Sequence, residues 1–111
     1  MRKTALLIGV NKYTGDARSS PLRGCINDVR QTRDHLIKYF GFRPIDIRLL
    51  TDERATQKEI WSRWEQYVDQ LQPGDLFVTQ MSSHGTRFPR RDRVTGRLTR
   101  SVDMLIASDF T

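Results

Sequence analysis

His84 stands in the run Met81-Ser82-Ser83-His84-Gly85-Thr86, directly behind an apolar stretch of strand character. An imidazole at the carboxyl end of a strand is well placed to move a proton at neutral pH. Its neighbours Ser82, Ser83, Gly85 and Thr86 are small and leave room for a substrate. Gly85 adds a backbone N–H with no side chain over it, the kind of donor an oxyanion requires. A turn histidine that only caps backbone carbonyls would leave the same trace in the sequence. A base also needs a nucleophile, and the chain has a single cysteine, Cys25, in Pro21-Leu22-Arg23-Gly24-Cys25-Ile26-Asn27-Asp28. At a helix start the positive dipole end lowers a thiol pKa; the competing reading is an inert cysteine packed beneath the loop. Asn27 and Asp28 begin the same helix, where either can serve as a cap. Asp28 has a second reading, as a carboxylate near the strand ends that receives an Arg or Lys side chain.

Other patterns carry less. Asp92, Asp103 and Asp109 offer hard oxygen ligands for calcium, but not at the spacing of an EF-hand loop. Gly9 follows a strand alone, without the repeated glycines of a dinucleotide fingerprint. Trp61 and Trp64 read as packing residues.

These side chains need a scaffold, and the chain spells out one. Thr4 to Val10 is a continuously apolar run, hence a central strand. The polar stretch 11–21 is a loop, with Gly15 and Asp16 as turn formers. A helix is predicted over 27–40, with Ile26, Val29, Leu36, Ile37 and Phe40 on its apolar face and Gly41 ending it. Ile45, Ile47, Leu49 and Leu50 make a shorter, more alternating strand nearer an edge. Thr56-Gln57-Lys58-Glu59 is a capping box, followed by Ile60, Trp64, Tyr67, Val68 and Leu71 at helical spacing up to Pro73-Gly74. Leu76 to Met81 is a third strand. The order β-α-β-α-β predicts a mostly parallel α/β sheet with helices on its faces, whose sites form at the carboxyl ends of the strands. His84 and the loop after the first strand both fall there. Beyond residue 86 no helix is predicted; residues 102–107 are a candidate strand or hairpin arm.

Composition narrows the partners. A chain of 111 residues with 37% apolar content is one folded domain or a large piece of one. No apolar run approaches the roughly 20 residues of a membrane span, so no membrane partner is expected. The basic start precedes too short an apolar run for a signal peptide. One cysteine excludes a disulfide framework, and a cytoplasmic setting is expected. The net charge of +6 is concentrated in Arg87, Arg90, Arg91, Arg93, Arg97 and Arg100, opposed only by Asp92. Such a run can contact phosphate, but aromatic residues do not interleave it beyond Phe88. A solvated loop is the simpler reading, and no nucleic-acid partner is expected.

The motifs, taken in order, resemble one family. Ala5-Leu6-Leu7-Ile8-Gly9-Val10-Asn11-Lys12-Tyr13 is similar to the first strand and following loop of the caspase-fold cysteine peptidases, closest to the type I metacaspases and their bacterial relatives. Pro21 to Val29 resembles their Leu-x-Gly-Cys-x-Asn-Asp segment, and Ser82-Ser83-His84-Gly85-Thr86 their Ser-Gly-His-Gly segment. Between these, Gly41-Phe42, Leu49-Leu50-Thr51-Asp52, Ala55-Thr56 and Pro73-Gly74-Asp75 keep the register. Residues 1–86 then correspond to the amino-terminal part of the catalytic domain, and 87–111 to an arginine-rich loop and the start of the next segment.

The resemblance implies an incomplete three-layer caspase-like sandwich. It makes His84 the general base and acid of a Cys–His dyad and Gly85 an oxyanion donor. Asp28, with Ser82 beside the substrate, would belong to a site for peptides with Arg or Lys at the cleavage position. Cys25 becomes the family's non-catalytic cysteine. The nucleophile's Asp-x-Cys-His-Ser-Gly segment is expected outside these residues, on a companion chain or fragment. The arginine-rich run then suggests self-cleavage. The chemistry itself requires no cofactor; calcium, often needed by the type I enzymes, is left open, because arginines replace acidic residues after the histidine. Ser83 replaces the usual glycine, a change the fold tolerates if φ is negative there. The alternative is a non-enzymatic caspase-like module that binds or regulates a partner.

Overall fold

The computed structural model describes the backbone of all 111 residues and the side chains of residues 1–86, 92–97 and 104–111. Three parallel strands, β1 (Lys3–Gly9), β2 (Ile47–Thr51) and β3 (Leu76–Ser82), lie in the order β2-β1-β3. The most apolar strand is therefore the central one, as its composition demands. Two helices, α1 (Cys25–Phe40) and α2 (Gln57–Asp69), provide the crossovers.

Alternation along β1 divides the interior in two. Ala5 and Leu7 face α1, where they pack with Val29, Leu36, Phe42, Ile47 and Leu49. Leu6, Ile8 and Val10 face the other way, into a core that takes Ile60 and Tyr67 from α2, Phe77 and Met81 from β3, and Ile106. The helices thus cover opposite faces of the sheet. That is the consequence of right-handed crossovers when β2 and β3 flank β1 on opposite sides. It is the three-layer arrangement expected, incomplete in that β2 and β3 each keep an unpaired edge within this chain.

Local chemistry sets the boundaries. Gly41 ends α1 in the left-handed region at φ 71°, and the N–H groups of Gly41 and Phe42 both donate to the Leu36 carbonyl. That reversal buries Phe42 and leaves Phe40 exposed, the opposite of what helical periodicity alone assigns to Phe40. At α2 the Thr56 side chain accepts from the Glu59 N–H at 3.2 Å. Only half of the capping box forms, because Glu59 pairs with Arg63 at 2.7 Å instead of reaching back. Trp61 and Trp64 meet edge to face on the helix surface.

Gly9 is where α1 touches the sheet. A Cβ there would lie 2.8 Å from the Cys25 carbonyl oxygen and 2.9 Å from Cγ2 of Val29. The first obstacle is backbone, so the helix itself would have to move. Gly9→Ala is expected to destabilise the fold by about 1–3 kcal/mol. Urea denaturation followed by circular dichroism checks this; an unchanged midpoint would show that α1 can shift freely.

The stretch after His84 differs from the loop read in the sequence. Gly85–Arg91 (β4) and Leu98–Leu105 (β5) form an antiparallel hairpin, with Gly85 opposite Leu105 and Arg90 opposite Arg100. Arginines and Pro89 hide the strand pattern, but a two-stranded ribbon has two open edges that tolerate proline. Its turn is built on Asp92, whose Oδ1 accepts from Val94 N and Thr95 N at 2.8 Å each, and on Gly96 at φ 70°. The side chains of Arg87, Arg90, Arg91, Arg100 and Asp103 lie outside the described residues. No helix among the described residues is long and apolar enough to cross a membrane.

Candidate active site

Strand β1 passes to β2 on one side and β3 lies on its other side, so the chain leaves these neighbours in different directions. The crevice between their carboxyl ends is the place where open α/β sheets hold ligands. The loop 10–24 and His84 meet there. Val10 N donates to the Ser82 carbonyl at 2.9 Å, which ties the start of the loop to the end of β3.

His84 is held at four points. Its backbone N–H donates to the Tyr13 hydroxyl at 2.6 Å. Its carbonyl accepts from Ile106 N at 3.0 Å and from the Ser83 hydroxyl at 3.0 Å. Its ring nitrogen Nε2 lies 2.5 Å from the Ser20 carbonyl oxygen. A carbonyl only accepts, so Nε2 carries the proton and a neutral ring keeps its lone pair on Nδ1. The Tyr13 ring packs against the imidazole with centroids 5.1 Å apart.

The loop that supplies Tyr13 and Ser20 is itself fixed. Asp52, just past β2, accepts from Asn11 N at 2.9 Å and Lys12 N at 3.0 Å. It does so at φ 46°, the one positive value at a non-glycine residue among those described. Such a backbone costs about 1–3 kcal/mol and persists where its surroundings fix it. The Asn11 side chain accepts from Cys25 N at 3.0 Å and Ile26 N at 3.4 Å, and so caps α1 from outside the helix. Thr14 N and Asp16 N donate to the carbonyls of Ser108 and Phe110, bracing the loop from the far end of the chain.

The sequence-predicted residues fall into this frame as follows. Ser82 closes β3 beside Gly9, its hydroxyl 3.3 Å from Gln80 Nε2. Ser83 has no positive φ, so the serine in the glycine position is unstrained. Gly85 opens β4, and a Cβ added there would meet only the Met104 carbonyl at 3.5 Å. Asp28 is exposed in the first turn of α1, at the same end of the sheet as His84. It is not the cap that one sequence reading allows. Gly24 occupies the cap position, no side chain of the helix caps it, and Asn11 takes that role. Of the two readings of Cys25, the structure gives the packed, inert cysteine and not the activated thiol. Cys25 is buried, and burial, then the charges of Asp28 and Asp52, push its thiol up.

The acidic residues read as calcium ligands are employed separately. Asp92 holds the hairpin turn, and Asp109 accepts from Gln57 N at 2.9 Å at the start of α2. Asp103 lies outside the described side chains. Among the described residues, no three or more His, Cys, Asp or Glu side chains gather as metal ligands would.

Sequence reasoning missed Asn11, Tyr13, Ser20 and Asp52. Asn11, Tyr13 and Asp52 are polar residues just past the carboxyl ends of β1 and β2, a position that could have drawn attention to them. Ser20 contributes only a carbonyl, which no residue type announces.

The family comparison settles the lineage. The model for the metacaspase, peptidase C14 domain matches residues 3–111. The chain belongs to the metacaspase, peptidase C14 family. That match carries the likeness past the histidine motif and through the hairpin. Metacaspase-4 of Arabidopsis thaliana is 42% identical over 94 residues, which cover 80% of this chain and 22% of that protein. Metacaspase-6 of the same plant is 39% identical, covering 80% and 25%. Metacaspase-1 of Yarrowia lipolytica is 38% identical over 90 residues, covering 76% and 19%. The chain thus spans about a quarter or less of these relatives. A crystal structure of a protein from Geobacter sulfurreducens shares the fold, with a TM-score of 0.76 and 20% identity over 98% of this chain and 40% of that one.

Proposed function

We propose that this chain is the histidine-bearing part of a cysteine endopeptidase that cuts after Arg or Lys, with the nucleophilic cysteine supplied from outside residues 1–111. The observation that carries the reading is the tether of His84 Nε2 to the Ser20 carbonyl at the carboxyl end of β3. It leaves Nδ1 as the basic nitrogen, facing away from the tether. Family membership supports the same reading. The free edge of β3 is the natural place for a further, cysteine-bearing strand to extend the sheet.

In this mechanism His84 accepts the thiol proton, and the thiolate attacks the scissile carbonyl carbon. The developing oxyanion takes the Gly85 N–H. Collapse breaks the C–N bond, and the imidazolium returns its proton to the leaving amine, leaving a thioester. His84 then deprotonates a water that hydrolyses the thioester and frees the thiol. Asp28, with Ser82 at the edge of the site, receives the basic side chain before the cut. Cys25 takes no part, because its thiol is buried and pushed up. The chemistry calls for no cofactor, and self-cleavage in the arginine-rich hairpin would supply the assembly with its own substrate.

The test is hydrolysis of fluorogenic peptides ending in Arg, Lys or Asp by this chain reconstituted with the cysteine-bearing segment, with and without calcium. Cleavage of the Arg and Lys peptides alone is expected. Cleavage of none in any assembly would identify the chain as a binding or regulatory module.

A further inference from the structure

We propose that Tyr13 is a positioning residue for His84, its phenol fixing the histidine backbone while the same loop, through Ser20, fixes the imidazole. The role rests on His84 being the working base. Tyr13 is only 6% exposed and belongs to the α2-side core with Leu6, Ile8, Val10 and Ile106. A phenylalanine would fill that space equally well. The hydroxyl is therefore not needed for packing, and its hydrogen bond goes to the residue whose geometry matters most.

The His84 N–H leaves β3 at the point where the parallel ladder ends, since the register closes at Gly9 opposite Ser82. No strand carbonyl of that ladder is left to receive it, and the Tyr13 oxygen at 2.6 Å does so. That bond sets the backbone from which the imidazole projects. Ser20, seven residues further along the loop, sets where the ring points. Burial pushes the Tyr13 phenol up against the opposing effect of the His84 N–H bond, with the Ser83 side chain as a further hydrogen-bond partner. The group thus stays a neutral hydroxyl wherever an imidazole works. Asp52 and the carbonyls of Ser108 and Phe110 hold the loop against the sheet, so the two contacts are not free to drift.

Tyr13→Phe tests the role with two readouts. The first needs no activity: nitrogen-15 NMR of the imidazole and hydrogen exchange of the His84 amide, measured on this chain. The wild type is expected to show the Nε2–H tautomer and a protected amide. The variant is expected to show mixed tautomers and at least about tenfold faster amide exchange, with the thermal midpoint little moved. The second is kinetic, in the reconstituted assembly: kcat should fall about 10- to 100-fold with KM unchanged, the scale of loss for a misplaced group. Unchanged tautomer, exchange and kcat would overturn the proposal. A wild-type assembly that cleaves nothing would refute the peptidase reading alone, and the NMR readouts would still decide whether Tyr13 positions His84.

Discussion

Replacing His84 by Ala is expected to lower kcat for Arg-peptide cleavage by about a thousandfold or more in the reconstituted assembly, with little change in KM. The imidazole is the group in this chain that would generate the thiolate and protonate the leaving amine, so its loss strikes both halves of the reaction. The fold should hold. The three hydrogen bonds of the His84 backbone, to Tyr13 and from Ile106 and Ser83, do not depend on its side chain. What disappears is the ring contact with Tyr13 and one hydrogen bond to Ser20, a loss of about 1 kcal/mol. His84→Gln separates tether from base. Its amide can still donate to the Ser20 carbonyl, yet it has no basic nitrogen, and it should be as inactive as the alanine variant. Single-turnover kinetics beside a melting curve checks both. A glutamine variant within tenfold of wild type would mean that the histidine serves only as a tether.

The sheet was legible in the sequence because each strand has its own apolar signature. β1 is apolar throughout and lies in the centre, and β2 alternates and lies outside it. The helices followed from period and from their ends, Gly41 and Thr56 above all. The hairpin was not legible in full. Its strands carry arginines and a proline in place of alternating apolar residues, and pairing in a two-stranded ribbon asks little of side chains. At the candidate site, it was the setting of small residues behind a strand that singled out His84 in the sequence. The residues that hold it were not singled out, because they act across distances the sequence does not display. Tyr13 and His84 are 71 positions apart, and Asn11 reaches Asp52 across 41. For Cys25, the place at a helix start allowed an activated thiol or an inert one; packing under the loop buries it near two carboxylates, and the inert reading is the one that holds.

Asp28→Asn carries the second large effect. If the carboxylate receives the substrate's basic side chain, its loss should lower kcat/KM for an Arg peptide by about 30- to 4,000-fold, the equivalent of about 2–5 kcal/mol for a desolvated charge pair. The structural alternative predicts almost nothing. Capping is taken by Asn11, so what remains for Asp28 is the favourable placing of a negative charge in the first turn of α1, about 0.3–1 kcal/mol of stability. Asn keeps the size of the side chain and removes the charge, which makes the two roles separable in one variant. The contrast sharpens with a neutral substrate. A Gln peptide should be cut equally poorly by both proteins if Asp28 reads charge, so the Arg-to-Gln preference should collapse in the variant while the melting curve moves by about 1–4 °C. In the free chain Asp28 is exposed, without a salt bridge among the described residues, and so it is available to a cationic side chain. An Arg preference that survives Asp28→Asn intact would place the specificity on another carboxylate, and with the cysteine-bearing segment as its source.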